Sequence, residues 1–330
     1  MISASQAVHT STLIEGSLLP LVVTPSAADV DLSDWVQSNR EQVNQWVVEH
    51  GGVLFRSFGI NSPDKFRSVM RAGCNELMIY KERSSPRTLV QEHVYTSTDY
   101  PADQGIFPHN EHSYANRFPM RIAFCCVVSA ISGGETPIVD CRRVTARIPP
   151  SIRSSFQRRG GWMYVRTLSD EIGLSWQTVY QTSERNLVEE YCRQNDTQWE
   201  WKSNNRLRTS QVRPVTARHP QTGEEIWFNH ATFFNVNTLP EMLRDFLLQQ
   251  FAVEDLPNNT YYGDGTPIEA DTLRTLQQAY LTARISFPWE RGDVLLLDNM
   301  LTAHGRSPFE GDREVLVIMG DPIERRSLPE

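Results

Sequence analysis

The stretch Asp293-Val294-Leu295-Leu296-Leu297-Asp298-Asn299 decides the fold. A short apolar run that ends in polar residues is typical of a buried strand running into a turn. A second strand is predicted at residues 314–319, directly after Arg313, and His304 lies between the two strands. These residues predict a hairpin that brings His304 and Arg313 close to each other.

Further strand signals occur upstream of this hairpin. Residues 122–128 are apolar on both faces, so this strand should be central in its sheet. Shorter strands are predicted at residues 53–58, 136–139, 212–215, 226–228 and 284–287. The strands do not alternate regularly with helices, which argues against a doubly wound parallel sheet. A mainly β, α+β fold with a jelly-roll barrel and added helices fits better.

Helices are predicted outside this barrel and in two insertions. Residues 31–50 are amphipathic and begin with capping residues, and a second helix begins with Ser62 as N-cap and Pro63 as first helical residue. The insertions at residues 150–205 and 239–283 are predicted to be helical. Residues 1–30 are predicted to be a loose lead-in or an edge strand. We expect one domain over residues 1–330, because no repeat or obvious linker interrupts the chain.

The composition limits the classes of partner. The formal net charge is −8 and no basic tail occurs, which argues against non-specific binding to nucleic acid or to an anionic membrane. The five cysteines include no C-x-x-C pair, so we expect free buried thiols in a reducing compartment. The sequence shows no signal-peptide pattern and no apolar stretch of membrane-spanning length. These features predict a cytoplasmic protein.

The clearest functional pattern is His109-Asn110-Glu111, which His304 complements far downstream. Two imidazoles and one carboxylate form the facial triad that binds ferrous iron and leaves positions open for oxygen and a co-substrate. On a strand, His109 and Glu111 would point to the same side. His112 is a rival ligand, but on a continuing strand it would point away and either support the ligands or pack at the surface.

Two other classes of protein use similar residues. A zinc hydrolase also binds its metal with His and Glu, but the chain lacks H-E-x-x-H on a helix, and zinc chemistry gives no role to Thr136 or Arg313. A metal-free jelly-roll binding module is the other alternative. The presence of all three ligand residues counts against it.

Nine motifs together carry a family resemblance over roughly residues 50–320. They are Ser85-Pro86-Arg87-Thr88, Tyr95-Thr96-Ser97-Thr98-Asp99-Tyr100-Pro101, Pro108-His109-Asn110-Glu111-His112-Ser113-Tyr114, Gly133-Gly134-Glu135-Thr136-Pro137, Trp227-Phe228-Asn229, Tyr261-Tyr262-Gly263-Asp264-Gly265, Leu297-Asp298-Asn299-Met300, His304-Gly305-Arg306 and Gly311-Asp312-Arg313. The chain thereby resembles the TauD/TfdA-like iron(II)- and 2-oxoglutarate-dependent dioxygenases. More narrowly it is similar to the SyrP-like branch, whose described members include amino-acid hydroxylases of natural-product pathways.

The resemblance implies a double-stranded β-helix of the clavaminate synthase-like, jelly-roll type, with the site at its mouth. It implies Fe(II) bound by His109, Glu111 and His304, with 2-oxoglutarate and O2 as co-substrates. It also places Thr136 and Arg313 on the distal carboxylate of 2-oxoglutarate, where a hydroxyl and a guanidinium together would hold both oxygens. The halogenating relatives lack the carboxylate ligand, so Glu111 argues against halogenation.

Candidates for substrate binding lie in segments that should approach the metal. They are Tyr80, Arg87, Thr98, Asn229, Arg306, Val317 and Met319. Arg87 and Arg306 would either bind a substrate carboxylate or make structural ion pairs. Asn229 would orient an amine or bond to the backbone, and Val317 and Met319 would face the cavity or pack inside the barrel. Three neighbours of Asn229 are interpreted as packed core residues: His230, Phe233 and Phe234.

The sequence thus predicts an oxygenase that abstracts hydrogen from a C–H bond of an amino acid or an amino-acid-derived substrate in natural-product biosynthesis. The substrate would be free or attached to a carrier protein. Hydroxylation is the expected outcome. Desaturation or oxidative ring closure with the same cofactors is the alternative.

Overall fold

The computed structural model describes residues 7–329. Its strands are β1 Val8–Thr12, β2 Leu21–Pro25, β3 Gly52–Phe55, β4 Leu89–Gln91, β5 Val94–Thr96, β6 Ile106–His109, β7 Arg117–Val128, β8 Ser132–Gly133, β9 Ile138–Asp140, β10 Trp162–Leu168, β11 Gln198–Trp201, β12 Leu207–Arg213, β13 Thr216–Arg218, β14 Glu225–Trp227, β15 Asn258–Tyr262, β16 Arg284–Ile285, β17 Val294–Asp298, β18 Thr302–Arg306, β19 Phe309–Glu310 and β20 Glu314–Glu324. Its helices are α1 Leu32–Ser38, α2 Arg40–His50, α3 Pro63–Gly73, α4 Cys141–Arg147, α5 Pro150–Arg158, α6 Trp176–Tyr180, α7 Arg185–Gln194, α8 Glu241–Gln250 and α9 Ala270–Thr282.

Two sheets form the barrel. The larger one has eight strands in the order β1-β2-β3-β17-β7-β20-β5-β4, and the smaller has four in the order β16-β9-β18-β6. A separate four-stranded sheet, β11-β12-β10-β15, is built from the two inserted segments and from β12, which lies between them in the sequence, and β13-β14 and β19-β8 form two-stranded ribbons. The predicted α+β jelly roll is confirmed.

Strand β17 shows why its apolar run is continuous. It lies between β3 and β7 in the larger sheet. Val294 and Leu296 belong to the core layer shared with α1, α2 and α3, whereas Leu295 and Leu297 belong to the layer shared with the smaller sheet. Because successive side chains of a strand point to opposite faces, a strand with an apolar layer on each side has no polar position left.

The first helical region is two helices where one was predicted. Asp31 caps α1 by accepting a hydrogen bond from the Asp34 backbone N–H, but α1 ends at Ser38 and α2 begins at Arg40. The Asn39 side chain donates to the Trp35 carbonyl oxygen at 2.8 Å. Asparagine side chains compete in this way with the helical backbone, which accounts for the break. The predicted start of α3, with Ser62 as N-cap and Pro63 in the first turn, is confirmed.

The prediction that residues 150–205 and 239–283 are helical was wrong in part. Both segments contribute helices, but the first also contains β10 and β11 and the second contains β15. Gly160 and Gly161 adopt positive φ between α5 and β10. The aromatic and β-branched residues of β10 then favour a strand that pairs with β12 and β15. Helical spacing in the flanking segments concealed these short strands.

The N-terminal residues contribute two strands to the larger sheet. β1 is an edge strand, which was one of the two alternatives for residues 1–30, whereas β2 lies inside the sheet, parallel to β3. Residues 1–6 lie outside the described residues. All five cysteines are free and buried, as expected. Within residues 7–329, no helix has both the length and the apolar character that crossing a membrane requires.

The polar turn after β17 is organised by Asp298, which is fully buried. Its carboxylate accepts hydrogen bonds from the backbone N–H groups of Met300 and Leu301, from Arg121 at 2.7 Å and from His219 at 3.1 Å. Burial alone would raise the pKa of Asp298, but His219 and Arg121 hold that pKa below its usual value. The turn that leads into β18 therefore depends on one buried, multiply bonded carboxylate.

We expect Asp298→Ala to lower the free energy of unfolding by about 3–5 kcal/mol, because it leaves the buried Arg121 charge without a partner. Urea denaturation measures this loss. Glu76→Ala is the matched control, since the Glu76–Arg117 pair is exposed, and its removal should cost less than about 1 kcal/mol. Equal losses of unfolding free energy in the two variants would contradict the special role of the buried Asp298 carboxylate in this turn.

Candidate metal centre and cavity

His109, Glu111 and His304 converge. His109 is the last residue of β6, and its Cα lies opposite that of His304 on the neighbouring strand β18. The possible ligand atoms of the three side chains all lie within 4.8 Å of one another. Glu111 Oε2 is 3.8 Å from His304 Nε2. Two imidazoles and a carboxylate at this spacing suit a single divalent transition-metal ion.

Glu111 reaches this position by a route that differs from the prediction. β6 ends at His109, so Glu111 is in the following turn and does not share a strand with His109. The Asn299 side chain fixes the turn, since its Oδ1 accepts from the Glu111 N–H at 2.7 Å and its Nδ2 donates to the Glu111 carbonyl oxygen at 2.9 Å. Asn110 in turn donates to the Asn299 carbonyl oxygen at 2.7 Å.

The protonation states of the three groups also suit metal binding. His109 Nδ1 lies 3.0 Å from the Phe107 carbonyl oxygen, to which it donates its hydrogen, so Nε2 keeps a free lone pair. Neither ring nitrogen of His304 has a hydrogen-bond partner among the described residues. Burial and the neighbouring His304 lower the pKa of His109 to about 3. Burial would raise the pKa of Glu111, but Arg87 reverses this effect and holds that pKa well below its usual value.

His112 lies behind the cluster. It has a positive φ of 56°, which turns the chain away from the course of β6 and buries its ring. The ring stacks on Tyr80 with centroids 5.1 Å apart, and Nε2 is 3.7 Å from Glu111 Oε1. The alternative that His112 packs at the surface was therefore wrong, because its premise of a continuing strand does not hold.

A cavity of about 800 Å³ adjoins the cluster at its two imidazoles, and His109, His304, Thr136 and Arg313 all line it. Thr136 is buried and accepts a hydrogen bond from Trp289 Nε1 at 3.2 Å. Arg313 donates to the Gly134 carbonyl oxygen at 2.8 Å and to Ser97 Oγ at 3.3 Å.

Arg313 is a cation without an acidic partner. Within residues 7–329 no carboxylate lies within 4 Å of its guanidinium, and burial, followed by the nearby charge of Arg306, lowers its pKa to about 10. It stays charged at neutral pH. A partly buried guanidinium of this kind is suited to an anionic ligand such as a carboxylate.

Of the seven predicted substrate contacts, three line the cavity: Arg87, Thr98 and Arg306. Thr98 is half-buried, and its hydroxyl accepts from the Tyr100 N–H at 3.1 Å. Arg306 makes no ion pair in the described part of the chain; its guanidinium donates to the carbonyl oxygens of Tyr100, Pro101 and Gln104 and so anchors that loop.

The other four predicted contacts do not line the cavity. Asn229 donates to the Val215 carbonyl oxygen and accepts from the Ala231 N–H, which is the structural alternative. Val317 and Met319 are fully buried in the layer between the two barrel sheets, where the alternation of β20 directs them. Tyr80 is fully buried, and its hydroxyl accepts from the N–H groups of Ser84 and Ser85.

Arg87 makes the contact that the sequence could not assign. Its Nη2 is 2.7 Å from Glu111 Oε2, and both side chains are buried. Its guanidinium carbon lies 4.8 Å from the centre of the Tyr80 ring. Of its two alternatives, a substrate contact or a structural ion pair, the structure therefore shows an ion pair, and its acidic partner belongs to the cluster of His109, Glu111 and His304.

Several cavity walls combine core packing with contact to the site. Phe233 and Phe234 pack in or against the core as interpreted, and both also line the cavity, where the Phe233 ring centre lies 4.4 Å from that of His109. Phe124 packs on His304 at 4.9 Å. His230 is a packed histidine as interpreted, since it bonds to Ser113 Oγ and stacks on Phe234. The apolar stripe of α8 was a usable signal, because Met242, Leu243 and Leu247 form the outer wall.

Comparison with known proteins gives concordant matches. The model of the family described as taurine catabolism dioxygenase TauD, TfdA family matches residues 17–319. The dapdiamide synthesis protein DdaC of Enterobacter agglomerans is 36% identical over 319 residues, which cover 97% of this chain and 96% of the relative. A clavaminate synthase-like protein of Arabidopsis thaliana is 28% identical and covers 92% of this chain and 93% of its own.

Solved structures share the fold. PvcB of Pseudomonas aeruginosa superimposes with a TM-score of 0.59 at 14% identity over 98% of this chain and 96% of its own. A taurine dioxygenase of Burkholderia xenovorans gives a TM-score of 0.57 at 14% identity over 98% and 95% of the two chains. At this identity the likeness concerns the fold alone. With the family model spanning nearly all of the sequence, the chain belongs to the TauD/TfdA dioxygenase family, whose enzymes use Fe(II), 2-oxoglutarate and O2.

Proposed function

We propose that this oxygenase oxidises a C–H bond of an amino-acid-derived substrate at the cavity described above. His109, Glu111 and His304 would hold the iron, and Thr136 and Arg313 would bind the distal carboxylate of 2-oxoglutarate. One observation carries the proposal: His109 and His304 of the three-group cluster line the same cavity as the guanidinium of Arg313, which has no acidic partner. A metal site and a carboxylate site in one cavity are what a metal-chelating keto diacid requires.

Bound iron would supply the oxidising chemistry, drawing on O2 and the keto acid. The protein's own residues would bind and orient the reactants. Phe124 and Phe233 pack against the two imidazoles and would keep water from that part of the cavity. Arg313 and Thr136 would fix one end of the co-substrate, which sets the direction of its other end. The position of the substrate's C–H bond would then depend on the remaining walls.

The cavity walls support an amino-acid derivative with an uncharged outer part. The lining residues include four charged side chains, those of Arg87, Asp103, Arg306 and Arg313. The lining residues between positions 232 and 277 form an uncharged wall, since none of them has an ionisable side chain; they are Thr232, Phe233, Phe234, Thr238, Leu239, Pro240, Met242, Leu243, Leu247, Pro257, Asn258 and Gln277. A free amino acid carries an ammonium and a carboxylate group on its α-carbon and would make little use of this uncharged wall.

The size of the cavity supports the same substrate class. About 800 Å³ is near the upper end of the roughly 300–1,000 Å³ typical of sites for drug-sized ligands. This leaves room for 2-oxoglutarate and a substrate larger than a free amino acid, such as one joined to an acyl group or a carrier. The relative DdaC is described as a dapdiamide synthesis protein, which agrees with a role in natural-product biosynthesis. Hydroxylation is the proposed outcome, because Glu111 would occupy the ligand position that is left without a carboxylate in the halogenating relatives.

We expect Glu111→Ala to abolish turnover and His112→Ala to retain much of it, because only Glu111 belongs to the ligand cluster. Mn(II) titration followed by electron paramagnetic resonance, together with 2-oxoglutarate consumption, measures both effects. His112→Ala is the matched neighbour control. Full loss of metal binding in His112→Ala, with retention in Glu111→Ala, would mean that His112 and not Glu111 is the third ligand.

We expect Arg313→Leu to raise the KM for 2-oxoglutarate by at least about tenfold, because truncating one partner of a buried charge pair costs a few kcal/mol. Ser97→Ala removes only the 3.3 Å bond that Arg313 makes to that hydroxyl, and serves as the control with a nearly unchanged KM. Initial rates over a range of 2-oxoglutarate concentrations give both values. An unchanged KM in Arg313→Leu would exclude the proposed carboxylate contact.

A mass-based screen tests the substrate. The twenty amino acids and their N-acyl and amide derivatives are incubated with protein, Fe(II), ascorbate and 2-oxoglutarate. We expect turnover with derivatives and a mass gain of one oxygen atom. Loss of two hydrogen atoms would favour the alternative, desaturation or ring closure, and exclusive turnover of free amino acids would contradict the use of the uncharged wall.

A further inference from the structure

The Glu111 carboxylate has very different neighbours at its two oxygens. Oε2 is 2.7 Å from Arg87 Nη2 and 3.8 Å from His304 Nε2, whereas Oε1 has His112 Nε2 at 3.7 Å. The contact to Arg87 is thus the only one of these at hydrogen-bond distance. Arg87 holds the same oxygen that faces the His304 imidazole.

Arg87 is itself held in place. Its side chain is 5% exposed, and its guanidinium stacks on Tyr80, whose hydroxyl is anchored by the Ser84 and Ser85 N–H groups. The other face of the site is closed by His112, which stacks on the same tyrosine. This packing favours the position of the guanidinium beside Glu111.

Arg87 also has no other acidic partner. Glu111 is the one carboxylate within 4 Å of it in the described part of the chain, and its Nε and Nη1 atoms are buried without a hydrogen-bond partner. Its charge is therefore balanced by Glu111 alone. Buried charges normally require such a partner, so the pair is mutually dependent before any metal binds.

We propose that Arg87 is an internal counter-ion that keeps Glu111 in its ligand position in the metal-free protein and competes with the metal for Oε2. This inference rests on the proposed function, because it takes Glu111 as a metal ligand. A divalent cation at the cluster must share the oxygen with Arg87 and lie near its positive charge. The result is a preformed site whose metal affinity is lower than the three ligands alone would give.

The direction in which metal affinity changes when Arg87 is lost separates a competing cation from a residue that only orients Glu111. Loss of a residue that merely orients a metal ligand weakens metal binding. Loss of a competing cation strengthens it, because a neighbouring guanidinium lowers the affinity of a carboxylate for other cations. Arg87 acts as a competing charge, so its removal should tighten metal binding even though it also holds Glu111 in place.

The test measures the Mn(II) dissociation constant of the metal-free full chain by electron paramagnetic resonance titration, without 2-oxoglutarate or substrate. We expect Arg87→Met to bind Mn(II) at least about tenfold more tightly than the parent, near the lower end of what a neighbouring arginine does to the proton affinity of a carboxylate. Arg87→Lys, which keeps the charge, and Tyr80→Phe, which keeps the ring beneath Arg87 and removes only its hydroxyl, should stay close to the parent. Arg87→Gln provides a second neutral variant if Arg87→Met does not fold.

Unchanged or weaker binding in the folded neutral variants would overturn the inference. Equal tightening in Arg87→Lys would also overturn it, since charge would then not be the cause. Failure of the proposed function would give a different result. In that case the parent protein would not bind Mn(II) at the cluster, and Glu111→Ala would have the same Mn(II) affinity as the parent.

Discussion

The antiparallel pairing of β6 with β18 is the constraint on which the site depends. It sets His109 directly opposite His304, although the two residues are far apart in the chain. Side chains of directly opposed residues on antiparallel strands are immediate neighbours, with Cα atoms about 4.5–5.5 Å apart. The backbone ladder thus sets the distance between the two imidazoles, and no flexible loop has to position either of them.

The third group of the cluster depends on a different device. Glu111 lies in a turn, and turns are positioned by side-chain hydrogen bonds where no ladder is available. Asn299 supplies these bonds from the neighbouring polar turn, and Asp298 beside it organises the entry into β18. Two adjacent polar residues at the end of a buried strand therefore connect both halves of the cluster. This explains why an apolar strand ends in Asp-Asn within a completely buried environment.

The sequence predicted the barrel and the converging triad, but it predicted their surroundings poorly. The strong signals were the doubly apolar strands β7 and β17 and the His-x-Glu motif, each of which has a direct physical meaning. The sequence did not reveal that the chain leaves the course of β6 after His109. A positive φ, as at His112, is uncommon for a residue other than glycine, so it could not be read from the sequence. Short strands such as β10 and β15 were hidden among helices, since their pairing partners are distant in the chain.

Side-chain partners were the least predictable feature. Arg87, Asn229 and Arg306 all belong to residue types that bind ligands or stabilise loops equally well, and only the fold decides between these uses.

Anomalous diffraction from crystals soaked anaerobically with Fe(II) tests most directly the central claim that His109, Glu111 and His304 bind one iron ion. The predicted result is one iron peak within bonding distance of His109, Glu111 and His304, next to the cavity that contains Arg313. A peak elsewhere, or one that any of the three side chains fails to reach, would contradict it.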